Sequence, residues 1–139
     1  MKLEDQLCTF EQAKVLKSLG VSQHSLYYLN GRGYPIEAWV LEGDTKKFFS
    51  AYTVAEISQM LPDYYPSWRF KKSEQSTEII WVATVICGPK PEGIDNIRTA
   101  SAFDRYGKTQ AEALATLLIA LLETETITAE DCNKRLLEA

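Results

Sequence analysis

The chain has 139 residues, a formal net charge of −4 and a sequence pI of about 5.1. This length predicts a single domain over residues 1–139, and the acidic balance disfavours nucleic acid as a partner because phosphate backbones repel negative charge. The lone histidine, His24, and three scattered cysteines offer no zinc-ligand spacing, so we expect no metal and no cofactor.

Capping boxes predict where the helices begin. Thr9–Gln12 follows the pattern Thr-x-x-(Glu/Gln), in which the Thr hydroxyl accepts from the third backbone N–H and the Glu or Gln side chain accepts from the Thr N–H. A first helix over 9–19 is expected to end at Gly20. Leu26–Leu29 and Ile36–Leu41, separated by turn residues, then predict a β-hairpin. A polar connection over 43–50 leads to a second capping box at Thr53 and a helix that Pro62 ends.

The second half of the chain predicts three strands followed by two helices. The strands are Trp68–Lys71, which alternates aromatic and basic residues, Glu78–Cys87, which is apolar on both faces, and a short strand at about 99–105. The helices start at the capping box Thr109–Glu112 and at its near variant Thr128–Asp131. The expected fold is α+β, with an antiparallel sheet of about five strands, helices on at least one face and the order α-β-β-α-β-β-β-α-α.

One segment resembles the helix-turn-helix of MerR-type transcription regulators. Leu19-Gly20-Val21-Ser22, followed by Ser25-Leu26-Tyr27-Tyr28 and Gly33, is similar to the run found in that family. The resemblance implies a DNA-binding regulator with its recognition helix in 21–30. Apart from His24, that segment offers no cationic side chain to DNA.

Three longer blocks resemble small uncharacterised proteins of bacteriophages and of integrated mobile elements in gut bacteria. The first block comprises 7–14, 16–21 and 25–28, the second 51–57 and 60–62, and the third 108–113, 117–119 and 121–123. The resemblance implies a phage or mobile-element context, and it carries no known activity or catalytic residue. The three cysteines form no close pair in the sequence, which predicts reduced thiols and a cytoplasmic location in the bacterial host cell. The start of the chain, Met1–Gln6, also lacks the apolar core of a signal peptide, and no apolar run is long enough to span a membrane.

Aromatic and basic residues form the candidate ligand-binding site. Aromatic rings interleaved with Arg and Lys can stack on bases and neutralise phosphates, and protein interfaces are also enriched in them. The candidates are Tyr65, Trp68, Arg69 and Lys71 of the third predicted strand, with Tyr28 and Trp39 of the hairpin. The alternative interpretation is an ordinary strand, with Trp68 and Phe70 in the core and the cations in solvent.

These patterns predict a non-catalytic binding or accessory protein that acts by protein contact or by sequestration. No catalytic set is visible, although an enzyme using carboxylates such as Glu37 or Asp104 stays open. The alternatives are a counter-defence protein that binds a nucleotide signal and a helix-turn-helix regulator. We expect a protein partner or a small anionic ligand, and a homodimer would explain why 78–87 and 110–123 are apolar on every side.

Overall fold

The described part of the chain contains four α-helices and six β-strands, and the strands follow α1 and α2 in two groups of three. The structure, a computed structural model, describes residues 3–38, 47–61, 64–72, 77–87 and 101–137, with the backbone alone for 4, 64–72, 77–79, 85–87 and 101–103. In chain order the elements are a 3₁₀ helix Leu3–Gln6, α1 Phe10–Ser18, β1 Tyr27–Leu29, β2 Pro35–Glu37, β3 Phe49–Ala51, α2 Val54–Met60, β4 Tyr64–Lys72, β5 Thr77–Cys87, β6 Ser101–Gly107, α3 Gln110–Glu123 and α4 Ala129–Leu137.

A threonine side chain caps the start of each α-helix, which confirms the predicted helix starts. Thr9 and Thr53 form complete capping boxes. The hydroxyl groups of Thr109 and Thr128 each accept a hydrogen bond of 3.1 Å from the third backbone N–H of their helix. Helix α1 is followed by Gly20 with a φ of +90°, the left-handed conformation that glycine adopts at the end of a helix.

The capping boxes of α1 and α2 also join distant parts of the chain. Gln12 accepts from the Thr9 N–H through Oε1, and its Nε2 donates to the Glu112 carbonyl at 2.9 Å and to Thr116 Oγ1 at 2.8 Å. Glu56 accepts from the Thr53 N–H through Oε1 and from the Leu26 N–H at 3.2 Å through Oε2. Each box therefore fixes a helix start and a tertiary contact together.

The strands form two antiparallel three-stranded sheets, with the orders β2-β1-β3 and β4-β5-β6. The predicted hairpin is confirmed for its described residues, with Tyr27 opposite Glu37 and Leu29 opposite Pro35, and residues 39–41 of its second predicted strand lie outside the described part of the chain. The prediction of a single sheet of about five strands is wrong, since the described residues form two smaller sheets. The extra strand, β3, falls where the sequence predicts a polar connection, because a three-residue strand is too short for a periodic pattern and forms through its long-range pairing with β1.

Helix α3 occupies the centre of the fold. It packs against α1, α2, β5, β6 and the 3₁₀ helix. The buried residues of α3 are Ala111, Ala113, Leu114, Ala115, Leu117, Leu118, Ala120, Leu121 and Leu122. All of them except Ala111 and Ala120 belong to one core that also contains Leu16, Tyr52, Ile57 and Cys132. The same chain thus covers the nearly all-apolar helix that the sequence predicts, so α3 needs no second copy to bury it.

Candidate ligand cleft

Strand β4 divides the predicted aromatic and basic cluster. Successive residues of a strand belong to opposite faces of the sheet, so the position of Trp68 is on the other face from those of Tyr65, Arg69 and Lys71. The register places Trp68 opposite Trp81 of β5. Trp81 packs against the core that contains α3. The position of Trp68 therefore lies on the α3 side of the sheet, and the other three positions lie on the far side.

The two hairpin members of the predicted site lie elsewhere. Tyr28 belongs to the first sheet and is only 4% exposed, and its hydroxyl donates to the Gln23 carbonyl at 2.7 Å. Trp39 lies outside the described residues. Within the described part of the chain, Tyr28 and the β4 positions thus belong to different sheets.

The segment that resembles a helix-turn-helix contains no recognition helix. Residues 21–26 have no helical turn, and β1 follows directly as strand Tyr27–Leu29. Tyr28 and Leu29 are both buried. A recognition helix has to be helical and exposed to enter the major groove, so the helix-turn-helix interpretation is wrong.

The described thiols are poorly suited to nucleophilic chemistry. Burial raises the pKa of Cys8 to about 12 and that of Cys132 to about 11. Both side chains therefore stay protonated at neutral pH, whereas the thiolate is the reactive form. Among the described residues, no group of three or more His, Cys, Asp or Glu side chains could hold a metal ion. The carboxylates Glu37 and Asp104 lie in different sheets, in β2 and β6.

A cleft of about 320 Å³ lies where four elements meet. Its wall combines the 3₁₀ helix, the start of α2, strand β5 and the turn from β6 into α3. The lining residues are Asp5, Gln6, Val54, Trp81, Lys108, Thr109 and Gln110. A half-buried indole thus shares one cleft with a carboxylate, an ammonium group and two carboxamides. A smaller pocket of about 220 Å³ near Cys8 has no charged lining residue among those described.

Close packing of Gly107 against the start of α3 positions Lys108 and Thr109 in the cleft wall. Gly107 pairs with Trp81 in the sheet, and it lies so near the first turn of α3 that a Cβ there would be 2.8 Å from the Glu112 carbonyl carbon. Only glycine permits this approach. Because β6 ends against α3, Lys108 and Thr109 turn the chain directly beside Trp81.

The charges in the cleft are available to a ligand. Asp5 and Lys108 are both exposed, and neither forms an ion pair in the described part of the chain. The amino end of α3 adds the partial positive charge of a helix N-terminus next to Lys108. The Thr109 hydroxyl accepts from the Glu112 N–H at 3.1 Å, but the Thr109 N–H does not donate to the Glu112 side chain as the cap N–H groups of α1 and α2 do to theirs. The Lys108 side of the cleft therefore favours an anionic group.

Sequence reasoning missed most of this cleft. Asp5, Trp81 and Lys108 are far apart in the sequence, and none belongs to a motif with a chemical role. Two weaker signals were present. The capping box at Thr109 places Lys108 at a helix start, and the predicted site residue Trp68 pairs in register with Trp81.

Comparison of the chain with models of protein families, with curated proteins and with solved structures finds no match. None of the described helices has the length and apolar character that crossing a bilayer requires. The resemblance to proteins of phages and mobile elements stays a prediction.

Proposed function

We infer that this chain is a non-catalytic binding protein that sequesters a small anionic ligand in the cleft beside Trp81. The observation that carries this inference is the combination in one cleft of the Trp81 indole, the cation Lys108, which forms no ion pair among the described residues, and the amino end of α3. Concave sites with an apolar wall and a few convergent polar groups are the usual form of small-molecule sites. Sequestration in this way fits an accessory protein of a phage or mobile element.

A thermal-shift panel tests this function. The panel contains inorganic phosphate, dicarboxylates, sugar phosphates, mononucleotides and cyclic nucleotides, measured at constant ionic strength. A ligand present at a hundred times its Kd stabilises the folded state by about 2.7 kcal/mol, which a melting curve resolves easily.

Matched lysine variants assign any binding to the cleft. Lys108→Gln removes the cleft cation, and Lys14→Gln makes the same charge change on α1, where the side chain pairs with Glu11 instead. We expect the first variant to weaken the shift and the second to leave it unchanged. Absence of a shift with every compound, or a shift that Lys108→Gln leaves intact, would refute the proposal.

Protein contact is the second candidate, and it concerns the far face of the β4-β5-β6 sheet. Ala83 belongs to the core and Trp81 packs against it, so alternation assigns Ile80, which is half-buried, and Val82, which is buried, to the opposite face. Tyr106, which lies opposite Val82 in the register, is 46% exposed. The predicted homodimer would use this face. Light scattering at micromolar concentration tests it, and a monomeric mass would remove it.

A further inference from the structure

We propose that the ligand of the cleft is a mononucleotide whose base carries an exocyclic amino group. This proposal rests on the proposed function and names the class of ligand. It starts from a conflict within the cleft: Lys108 and the start of α3 favour an anion, whereas the Asp5 carboxylate in the same cleft repels one. A ligand that satisfies both must present an anionic group and, separately, a hydrogen-bond donor.

The chemistry of the side chains defines the two ends of the ligand. A carboxylate can only accept hydrogen bonds, so Asp5 requires an N–H or O–H group. An ammonium group can only donate, so Lys108 requires an oxyanion, and the amino end of a helix is suited to phosphate in particular. Because Asp5 and Lys108 come from separate elements and form no ion pair with each other, each is free for its own part of the ligand.

The rest of the lining specifies what lies between these two ends. Trp81 brings an indole ring to the cleft wall, and a nucleobase is a planar ring of the kind that stacks on an indole. Gln6 and Gln110 offer carboxamides, which both donate and accept and can pair with the edge of a base. The volume of about 320 Å³ is at the lower end of the range for small-molecule sites, which suits one nucleotide rather than two.

Two matched pairs of nucleotides isolate the role of the amino group. AMP and IMP differ by an amino group against an oxo group on the base, and CMP and UMP differ in the same way. Isothermal titration calorimetry should show AMP and CMP binding at least about tenfold more tightly than IMP and UMP, because the oxo group places an acceptor against the Asp5 carboxylate and the ring N–H of IMP and UMP lies one atom away from that position. Ribose 5-phosphate, which has no ring to stack on Trp81, should bind at least about tenfold more weakly than AMP.

Variants assign each preference to its residue. Asp5→Asn should reduce the AMP-to-IMP affinity ratio to about one, since an amide can donate to the oxo group as readily as it accepts from the amino group. Lys108→Gln should weaken all four nucleotides by a similar factor and keep the ratio. Asp131→Asn and Lys14→Gln, which change the same charges outside the cleft lining, should alter neither affinity nor ratio.

The outcomes separate this proposal from the proposed function. Equal affinity for AMP and IMP, or a ratio that survives Asp5→Asn, would overturn the amino-group proposal while a cleft for anions stands. Binding of ribose 5-phosphate or of a dicarboxylate in preference to every nucleotide would overturn the nucleotide class alone. If no compound of either panel binds in a manner sensitive to Lys108→Gln, both proposals fall.

Discussion

The contact between Gly107 and the first turn of α3 leads to a sharp prediction about stability. In the variant Gly107→Ala, the new methyl carbon would lie 2.8 Å from the Glu112 carbonyl carbon, 2.9 Å from the Ala113 Cα and closer still to the Ala113 nitrogen. These neighbours are helix backbone and cannot turn aside as a flexible side chain would. Either the end of β6 or the start of α3 must therefore shift.

The size of the effect follows from this geometry. Forcing an extra methyl group into a packed contact costs about 1–3 kcal/mol, and the rigid helix backbone places Gly107→Ala in the upper part of that range, at about 2–3 kcal/mol. For a chain of this length each kcal/mol lowers Tm by roughly 3–5 °C. We therefore expect a fall in Tm of roughly 6–15 °C, together with a lower midpoint of urea unfolding.

Urea titration followed by circular dichroism measures the change, and Gly31→Ala supplies a matched control. Gly31 is exposed, its φ is not in the left-handed region, and a Cβ there would meet nothing within 4 Å. The control should remain within about 0.5 kcal/mol of the unmodified chain. If Gly107→Ala were as stable as Gly31→Ala, the close approach of β6 to α3 would be wrong.

Four further predictions test the caps, the core and the thiols. Thr53→Ala should lower the free energy of unfolding by about 1 kcal/mol because α2 loses its cap, whereas Thr53→Ser should retain most of it; equal urea midpoints for the two variants would contradict the capping role. Ser50→Ala should raise the free energy of unfolding by up to about 1 kcal/mol, since the Ser50 hydroxyl is wholly buried and has no hydrogen-bond partner among the described residues. If the same titration showed that the free energy of unfolding falls by more than about 1 kcal/mol, this hydroxyl would have to be hydrogen-bonded. Burial raises the pKa of Cys8 to about 12 from an ordinary 9.0, so between these values the folded state keeps a proton that the unfolded state has lost. The free energy of unfolding should therefore be constant below about pH 9 and fall as the pH rises further. Urea midpoints between pH 7 and pH 11 measure this fall. In a Cys87→Ser background, iodoacetamide at pH 8 should leave Cys8 and Cys132 unmodified until urea is added, and rapid labelling of the folded protein would contradict their burial.

Features that depend on near neighbours could be predicted from the sequence. A capping box involves residues three positions apart, so Thr9 and Thr53 mark their helices without knowledge of the rest of the fold. The hairpin of β1 and β2 depends in the same way on the turn between its strands. The central position of α3 follows from its apolar surface.

Features that depend on distant neighbours could not be predicted. Strand β3 consists of three residues that pair with β1, and only this pairing distinguishes Phe49–Ala51 from a loop. The cleft requires Asp5, Trp81 and Lys108 to converge through tertiary packing, and the residue types alone have no fixed spacing that would reveal it. The β4 members of the aromatic and basic cluster are close in sequence, but successive positions of a strand belong to opposite faces, so the position of Trp68 is separated from those of Arg69 and Lys71.

The capping box of α1 contains an amide, Gln12, and that of α2 contains an acid, Glu56, and the difference is explained by their long-range contacts. Capping rules treat Glu and Gln as equivalent at this position. Here Gln12 lies opposite the Glu112 carbonyl and the Thr116 hydroxyl, which donates its own hydrogen to that carbonyl, so both need a donor. Glu56 lies opposite the Leu26 N–H, which needs an acceptor. Exchanging the two residue types would satisfy both helix starts and break both long-range contacts. The choice between Gln and Glu at a position where either would cap the helix thus depends on the distant part of the chain that the side chain contacts.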